Sequence, residues 1–250
     1  MTKRGRLYLI GCGPGAADLL TVRATRRIAA ADLILYDRLV DPEVLSFART
    51  GAELRYVGKR CGDGGVQQDA INREIVSALI EGRSVARLKS GDPMIFGRAA
   101  EEIATARHVG ADVEIVPGVT SALAAAADAT IPVTERGTLN TFIVTTGKSA
   151  IDGDEPAWAE YVKPGACVAF YMGVGQARLI EERLLAAGAP ADAPADWIEN
   201  AGRLEKRTVA TTIGRLAADA SVHGVQNPAI LLVRRPLRGA IPAARPLAAE

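Results

Sequence analysis

The sequence predicts an α/β protein made of two consecutive α/β domains, and three observations carry that expectation. Short apolar runs alternate with amphipathic stretches along the chain, the pattern of a mostly parallel sheet with crossover helices. A Pro- and Gly-bearing stretch without helical periodicity, Thr130-Ile131-Pro132-Val133-Thr134-Glu135-Arg136-Gly137-Thr138, interrupts the alternation near the middle. The 48% hydrophobic and 24% charged residues, with a mean hydropathy of +0.11, describe an ordinary globular chain able to bury its own core.

Taken in order, Leu7 to Ile10 reads as a buried strand, followed by a helix over Ala17 to Ala31 and a strand over Leu33 to Tyr36. Gln67 to Glu81 carries Ile71, Ile75, Ala78 and Leu79 at helical spacing, and Gly82 supplies the stop. Ser84 to Leu88, Val113 to Val116 and Thr141 to Thr145 read as strands, with helices over Arg98 to Val109 and Ser121 to Ala129 between them. Beyond the break, strands near Cys167 to Tyr171, Ala195 to Ile198, Arg207 to Thr211 and Ala229 to Val233, with a helix near Gln176 to Ala187, form a second α/β unit. The expected domains are 1–133 and 138–236, and the Pro- and Ala-rich segment 237–250 is expected to be a flexible tail.

Composition excludes several chemistries. No apolar run approaches the ~20 residues of a membrane span, and the short run after Arg6 is about half the length of a signal-peptide core, so a cytoplasmic location is expected. Cys12, Cys61 and Cys167 stand far apart, and His108 and His223 are the only histidines; neither a metal site nor a Ser-His-Asp triad is expected. A net charge of +1 argues against nucleic-acid binding. Only Lys3, Lys59, Lys89, Lys148, Lys163 and Lys206 are lysines among 30 basic residues, and an arginine-dominated chain suits a polycarboxylate ligand, although a GC-rich genome yields the same bias.

Three glycine-bearing loops follow predicted strands: Gly11-Cys12-Gly13-Pro14-Gly15, Ser90-Gly91-Asp92-Pro93 and Pro117-Gly118-Val119-Thr120-Ser121. In open α/β sheets ligands collect at such ends, and glycines let the backbone approach them. The first loop also satisfies G-x-G-x-x-A with Ala16, so a nicotinamide or flavin oxidoreductase is an alternative. Against it, Pro14 removes a backbone donor, and Asp37 lies 24 residues beyond Gly13. Each loop taken alone also reads as a plain strand-to-helix turn.

Taken together, the strings Leu9 to Gly15, Ala31 to Val40 (with Tyr36-Asp37-Arg38-Leu39-Val40), Val57-Gly58-Lys59-Arg60, Gln68 to Asn72, Arg87 to Arg98, Val116 to Ala122, Phe170 to Gly173 and Glu199-Asn200-Ala201 resemble the tetrapyrrole methylase family, in particular its uroporphyrinogen branch. The resemblance implies two α/β domains with the active-site cleft between them, a homodimer, and S-adenosyl-L-methionine as methyl donor, released as S-adenosyl-L-homocysteine. It implies methylation of uroporphyrinogen III at carbons 2 and 7 to precorrin-2, on the way to siroheme or corrinoids. By matching position, Pro14, Ser90, Gly91, Asp92, Ile95, Thr120, Ser121, Met172 and Ala201 would contact the cofactor. Asp37 and Lys59 match a proton acceptor and donor, Arg98 and Glu101 match positions that handle substrate and serve the catalysis, and Arg38, Arg60, Arg98 and Met172 would bind the substrate. On residue type alone, Asp37 could instead pair with Arg38, Lys59 could be solvated, and Met172 could be core packing.

The chain departs from the family pattern at Ser90, at Ala99-Ala100 and at Glu135, where glycine, a glycine pair and histidine are usual. An anion at 135 leaves room for a later precorrin methyltransferase or for a paralogue that binds without turnover. Members of the branch are sometimes fused to a dehydrogenase and ferrochelatase module; 250 residues leave no space for one, so oxidation and metal insertion are expected elsewhere.

Overall fold

The computed structural model describes residues 4–58, 67–148 and 156–237. They fall into two compact units: one reaches to Ala124 and includes Gly202–Leu204, and the other comprises the rest. In the first unit β1 (Arg6–Gly11), β2 (Leu33–Tyr36), β3 (Glu53–Tyr56), β4 (Val85–Lys89) and β5 (Asp112–Val116) form one parallel sheet in the order β3-β2-β4-β1-β5. Helices α1 (Val22–Ala30), α2 (Gln67–Ile80) and α3 (Ala99–His108) cover its faces, and α4 (Ser121–Asp128) begins after β5.

The alternation of side chains along β1 explains the two layers. Leu7 and Leu9 point to the core formed with α2 and α3, which holds Ile71, Ile75, Leu79 and Ala106. Tyr8 and Ile10 point to the opposite core, with Ala24 and Ile28 of α1. A strand buried on both faces is apolar wherever no partner is supplied for a charge, which is why β1 was legible as a continuous run. Edge strand β3 is exposed and charged, with Arg55 beside Glu53 and Glu74, and so carries no apolar signal.

The helix expected over Ala17 to Ala31 forms in two pieces. Ala17–Leu19 is a 3-10 turn, and α1 starts only after Thr21, whose Oγ1 accepts from the Ala24 N–H at 3.1 Å while its own backbone is extended. Thr21→Ala is therefore expected to cost about 1 kcal/mol of stability, read as a lower urea midpoint at unchanged slope.

In the second unit β6 (Thr141–Thr146), β7 (Ala166–Tyr171), β8 (Pro194–Glu199), β9 (Arg207–Thr212) and β10 (Ala229–Arg235) take the order β6-β7-β10-β8-β9. Only β6 and β7 are parallel; the remaining pairs are antiparallel, so the parallel-sheet expectation applies to the first unit alone. Helices α5 (Trp158–Tyr161), α6 (Ala177–Ala186) and α7 (Leu216–Val222) accompany it. Trp158 and Trp197 anchor its core, and their indole N–H groups donate to Thr146 O and Leu216 O, leaving no orphan donor from either ring. No described helix is long and apolar enough to cross a membrane. The segment expected as a tail lies outside the described residues from Arg238 onward.

Candidate active site

Strands β4, β1 and β5 are neighbours, so the loops that leave their C-terminal ends meet. The Cys12 N–H donates to Lys89 O at 2.8 Å, and Gly13 and Gly91 exchange N–H···O bonds of 3.2 and 2.6 Å. Asp92 staples the second loop to the third: Oδ1 accepts from the Met94 N–H at 2.8 Å and Oδ2 from the Gly118 N–H at 3.0 Å. The Thr120 carbonyl accepts from the Leu123 and Ala124 N–H groups and so opens α4. Seven expected cofactor residues, Pro14, Ser90, Gly91, Asp92, Ile95, Thr120 and Ser121, thereby lie in three adjoining loops.

Glycine serves here for a reason the spacing did not reveal. A Cβ on Gly11 would stand 2.6 Å from Gly118 N and 2.7 Å from Gly91 O, so Gly11 and Gly118 let the three loop backbones touch one another. Most of the donors around this loop are engaged: Cys12, Gly13 and Ala16 N–H groups all go to protein carbonyls, Ala16 to Gly202 O at 2.7 Å, and Pro14 has none. A pyrophosphate cradle needs those donors, which removes the main support for a dinucleotide site. Burial pushes the Cys12 thiol up to about 12, so no thiolate works in this loop near neutral pH.

Beside the loops opens a cavity of about 460 Å3, lined among others by Asp37, Arg38, Gly58, Gln68, Ser90 and Arg98. Asp37 follows β2, and its partner is not Arg38: the buried Arg87 donates from Nη2 to Asp37 Oδ2 at 2.6 Å. Exposed Arg38 makes no ion pair among the described residues, so its charge is available to an anionic ligand. Behind the cavity wall, Glu102 of α3 is fully buried between Arg87 and Lys89, at 3.1 and 2.9 Å. Arg87, Lys89, Glu102 and Gln68 were missed by sequence reasoning. The signal was present: two cations, two residues apart, on one face of the otherwise apolar Val85-Ala86-Arg87-Leu88-Lys89.

Arg98 and Glu101 are brought together, but with each other. Arg98 donates from Nε and Nη2 to the two Glu101 oxygens, both at 2.7 Å. That hydrogen bonding, ahead of the charge attraction, holds the Glu101 carboxyl below its ordinary value, making it a weaker proton acceptor than an unpaired carboxylate. Arg98 precedes α3 with φ 53, and Phe96 has φ 51; two non-glycine residues in the left-handed region on one cavity wall mark a turn shaped against local preference.

In the second unit Met172 follows β7 with φ 55 and is half exposed, so it is not core packing, and Ala201 follows β8 beside Asn200 with φ 51. Exposed Glu135 accepts from the Thr138 hydroxyl, a local engagement of its charge. Lys59 and Arg60 lie outside the described residues.

The sequence profile of the Tetrapyrrole (Corrin/Porphyrin) Methylases matches residues 6–217. The chain belongs to this family. Among curated tetrapyrrole-pathway relatives, siroheme synthase of Chromobacterium violaceum is 41% identical over 231 residues, which cover 92% of this chain and 49% of that protein. Siroheme synthase of Pseudomonas aeruginosa is likewise 41% identical, over 229 residues, with 92% and 49% covered. The chain thus spans about half the length of the curated relatives it matches. Of solved structures, uroporphyrin-III C-methyltransferase of Thermus thermophilus superposes with a TM-score of 0.77 at 34% identity, over 92% of each chain, and that enzyme has also been solved with S-adenosylhomocysteine. A cobalt precorrin-4 methyltransferase superposes with a TM-score of 0.80 at 27% identity, over 92% of this chain and 94% of the other.

Proposed function

We propose that the chain transfers methyl groups from S-adenosylmethionine to carbons 2 and 7 of uroporphyrinogen III, giving precorrin-2 through a singly methylated intermediate. The observation that carries this reading is the juxtaposition, in one unit, of a cavity lined by Asp37 and exposed Arg38 with a hydroxyl- and carboxylate-bearing loop cluster at the ends of β1, β4 and β5.

The residues present fit the donor. Gly91, with φ +72, has an open Cα face: a Cβ there would meet nothing nearer than Ser121 Oγ at 3.4 Å. Ser90, Asp92, Thr120 and Ser121 offer the acceptors and hydroxyls that a ribose and an amino-acid head require, and Ile95 offers apolar contact. When bound, S-adenosylmethionine supplies an electrophilic methyl group on a sulfonium. The chain's part is chiefly positioning, which an in-line transfer to an electron-rich pyrrole carbon rewards. Arg38 and Arg98 bind acceptor carboxylates and Arg60 joins them; the acceptor carbon has no hydrogen to displace, so the cationic macrocycle formed by methylation sheds a proton from elsewhere on the ring and the Asp37 carboxylate takes it, Lys59 being assigned as proton donor by resemblance alone. Glu101 serves to aim Arg98. Met172 and Ala201 are assigned to the donor, and Met172 also to the acceptor, by resemblance alone, as is the homodimer; the cytoplasmic location and the domain limits 1–133 and 138–236 rest on the sequence reading.

A second reading, methylation of a later precorrin, draws on the likeness to the precorrin-4 enzyme. The two are separated by supplying labelled S-adenosylmethionine with either uroporphyrinogen III or a later precorrin. Label in uroporphyrinogen III is expected; label only in the later acceptor overturns the proposal, and saturable NAD binding would return the oxidoreductase.

A further inference from the structure

The steps above leave the buried charge of Glu102 without a task. Glu102 does not line the cavity, yet its carboxylate is fully shielded from solvent, where an ionised group persists only if paired. Its partners reach in opposite directions. Arg87 is pinned at Nε by Glu102 Oε1 at 3.1 Å and at Nη1 by Leu88 O at 2.8 Å, so the planar guanidinium cannot rotate and Nη2 is aimed at Asp37. Lys89 sits 2.9 Å from Glu102 Oε2 and donates from Nζ to the carbonyl of Gly97 at 2.5 Å, the residue between left-handed Phe96 and Arg98. Gln68 of α2 adds a weak contact to Glu102 Oε1 at 3.4 Å.

We propose that Glu102 is a positioning residue: through Arg87 it fixes Asp37, and through Lys89 it fixes the Ile95–Arg98 turn, so one carboxylate sets two walls of the cavity. The inference rests on the proposed methyl transfer for its kinetic consequence, and on geometry alone for the rest. Two cations and two carboxylates balance in this cluster. Remove the Glu102 charge and only the weaker attraction of Asp37 is left to offset Arg87, which stands one intervening residue from Lys89. Burial and then the Arg87 charge already hold Lys89 below its ordinary value, with Glu102 opposing both. Without Glu102, Lys89 is pushed further below its ordinary value and loses the carboxylate that anchors it beneath Gly97 O, while the Arg87 plane is freed at Nε.

The test compares Glu102→Gln, Glu102→Asp and, as a control that loosens the same layer without touching a charge, Ile75→Val on α2. For Glu102→Gln, kcat with uroporphyrinogen III should fall about 30-fold, with KM changed less than about threefold and S-adenosylhomocysteine affinity within about twofold. Glu102→Asp, which keeps the charge, should recover about tenfold of that loss, and Ile75→Val should keep the parent kcat. Crystal structures should show the Arg87–Asp37 and Lys89–Gly97 contacts broken in Glu102→Gln and intact in Ile75→Val. The proposal is overturned if Glu102→Gln keeps both contacts, if its kcat matches that of Ile75→Val, or if Glu102→Asp recovers nothing. Were Glu102→Gln not to fold, Glu102→Asp must still lower kcat below that of Ile75→Val, or the proposal fails. A parent protein inert toward uroporphyrinogen III would sink the proposed function instead, and the crystallographic comparison would then decide the positioning role by itself.

Discussion

Asp37→Asn is expected to lower kcat for methyl transfer about 1,000-fold, within the range that removal of a general acid or base produces. Asp37 stands at the end of β2 with its side chain one-third exposed to the cavity, and Arg87 engages only Oδ2 among the described residues. Asparagine keeps an oxygen for Arg87 and nearly the same volume, but it cannot take the ring proton. The loss should therefore sit in kcat, with KM for the tetrapyrrole within about threefold and S-adenosylhomocysteine affinity within about twofold. Steady-state kinetics with calorimetric titration of S-adenosylhomocysteine reads both quantities. A kcat within about tenfold of the parent would remove Asp37 from proton transfer.

Gly11→Ala is expected to weaken donor binding instead. The added methyl would lie 2.6–2.7 Å from Gly118 and Gly91 backbone atoms, and backbone cannot swing aside as a long side chain can. Prising the three loops apart should cost about 2–3 kcal/mol, lowering the melting temperature by about 5 °C or more. If that distortion falls on the donor loops, S-adenosylhomocysteine affinity drops about 30–100-fold. The same methyl at Gly110, where nothing lies within 4 Å, provides the comparison for thermal stability, although its φ of +72 adds a strain of its own. Unchanged affinity in Gly11→Ala would mean that the donor does not depend on the packing of these loops.

The parallel half of the fold was legible because its strands are buried on both faces: Leu7 to Ile10 and Leu33 to Tyr36 announce themselves as apolar runs. β3 was not, since an exposed edge strand is selected for charge, and α5 is too short to show a period. The direction of β8, β9 and β10 was hidden for another reason: side-chain alternation fixes which face is buried, whereas parallel or antiparallel pairing depends on the path of the connections. At the site, the three loops were visible from their glycines, but the purpose of Gly11 and Gly118 was not, because close approach between distant backbones leaves no local trace. The pairing of Asp37 with Arg87, 50 residues away, was equally invisible, and the adjacent Arg38 was the natural decoy. Arg87 and Lys89 could have been noticed as charges on the buried face of a strand.

In the proposed reaction the chain uses uroporphyrinogen III and methylates it twice. The mass of the tetrapyrrole after anaerobic reaction of the purified protein with S-adenosylmethionine and uroporphyrinogen III tests it most directly. A product heavier by two methyl groups, passing through a species heavier by one, is predicted. An unchanged tetrapyrrole in the presence of folded protein that binds S-adenosylhomocysteine would contradict it.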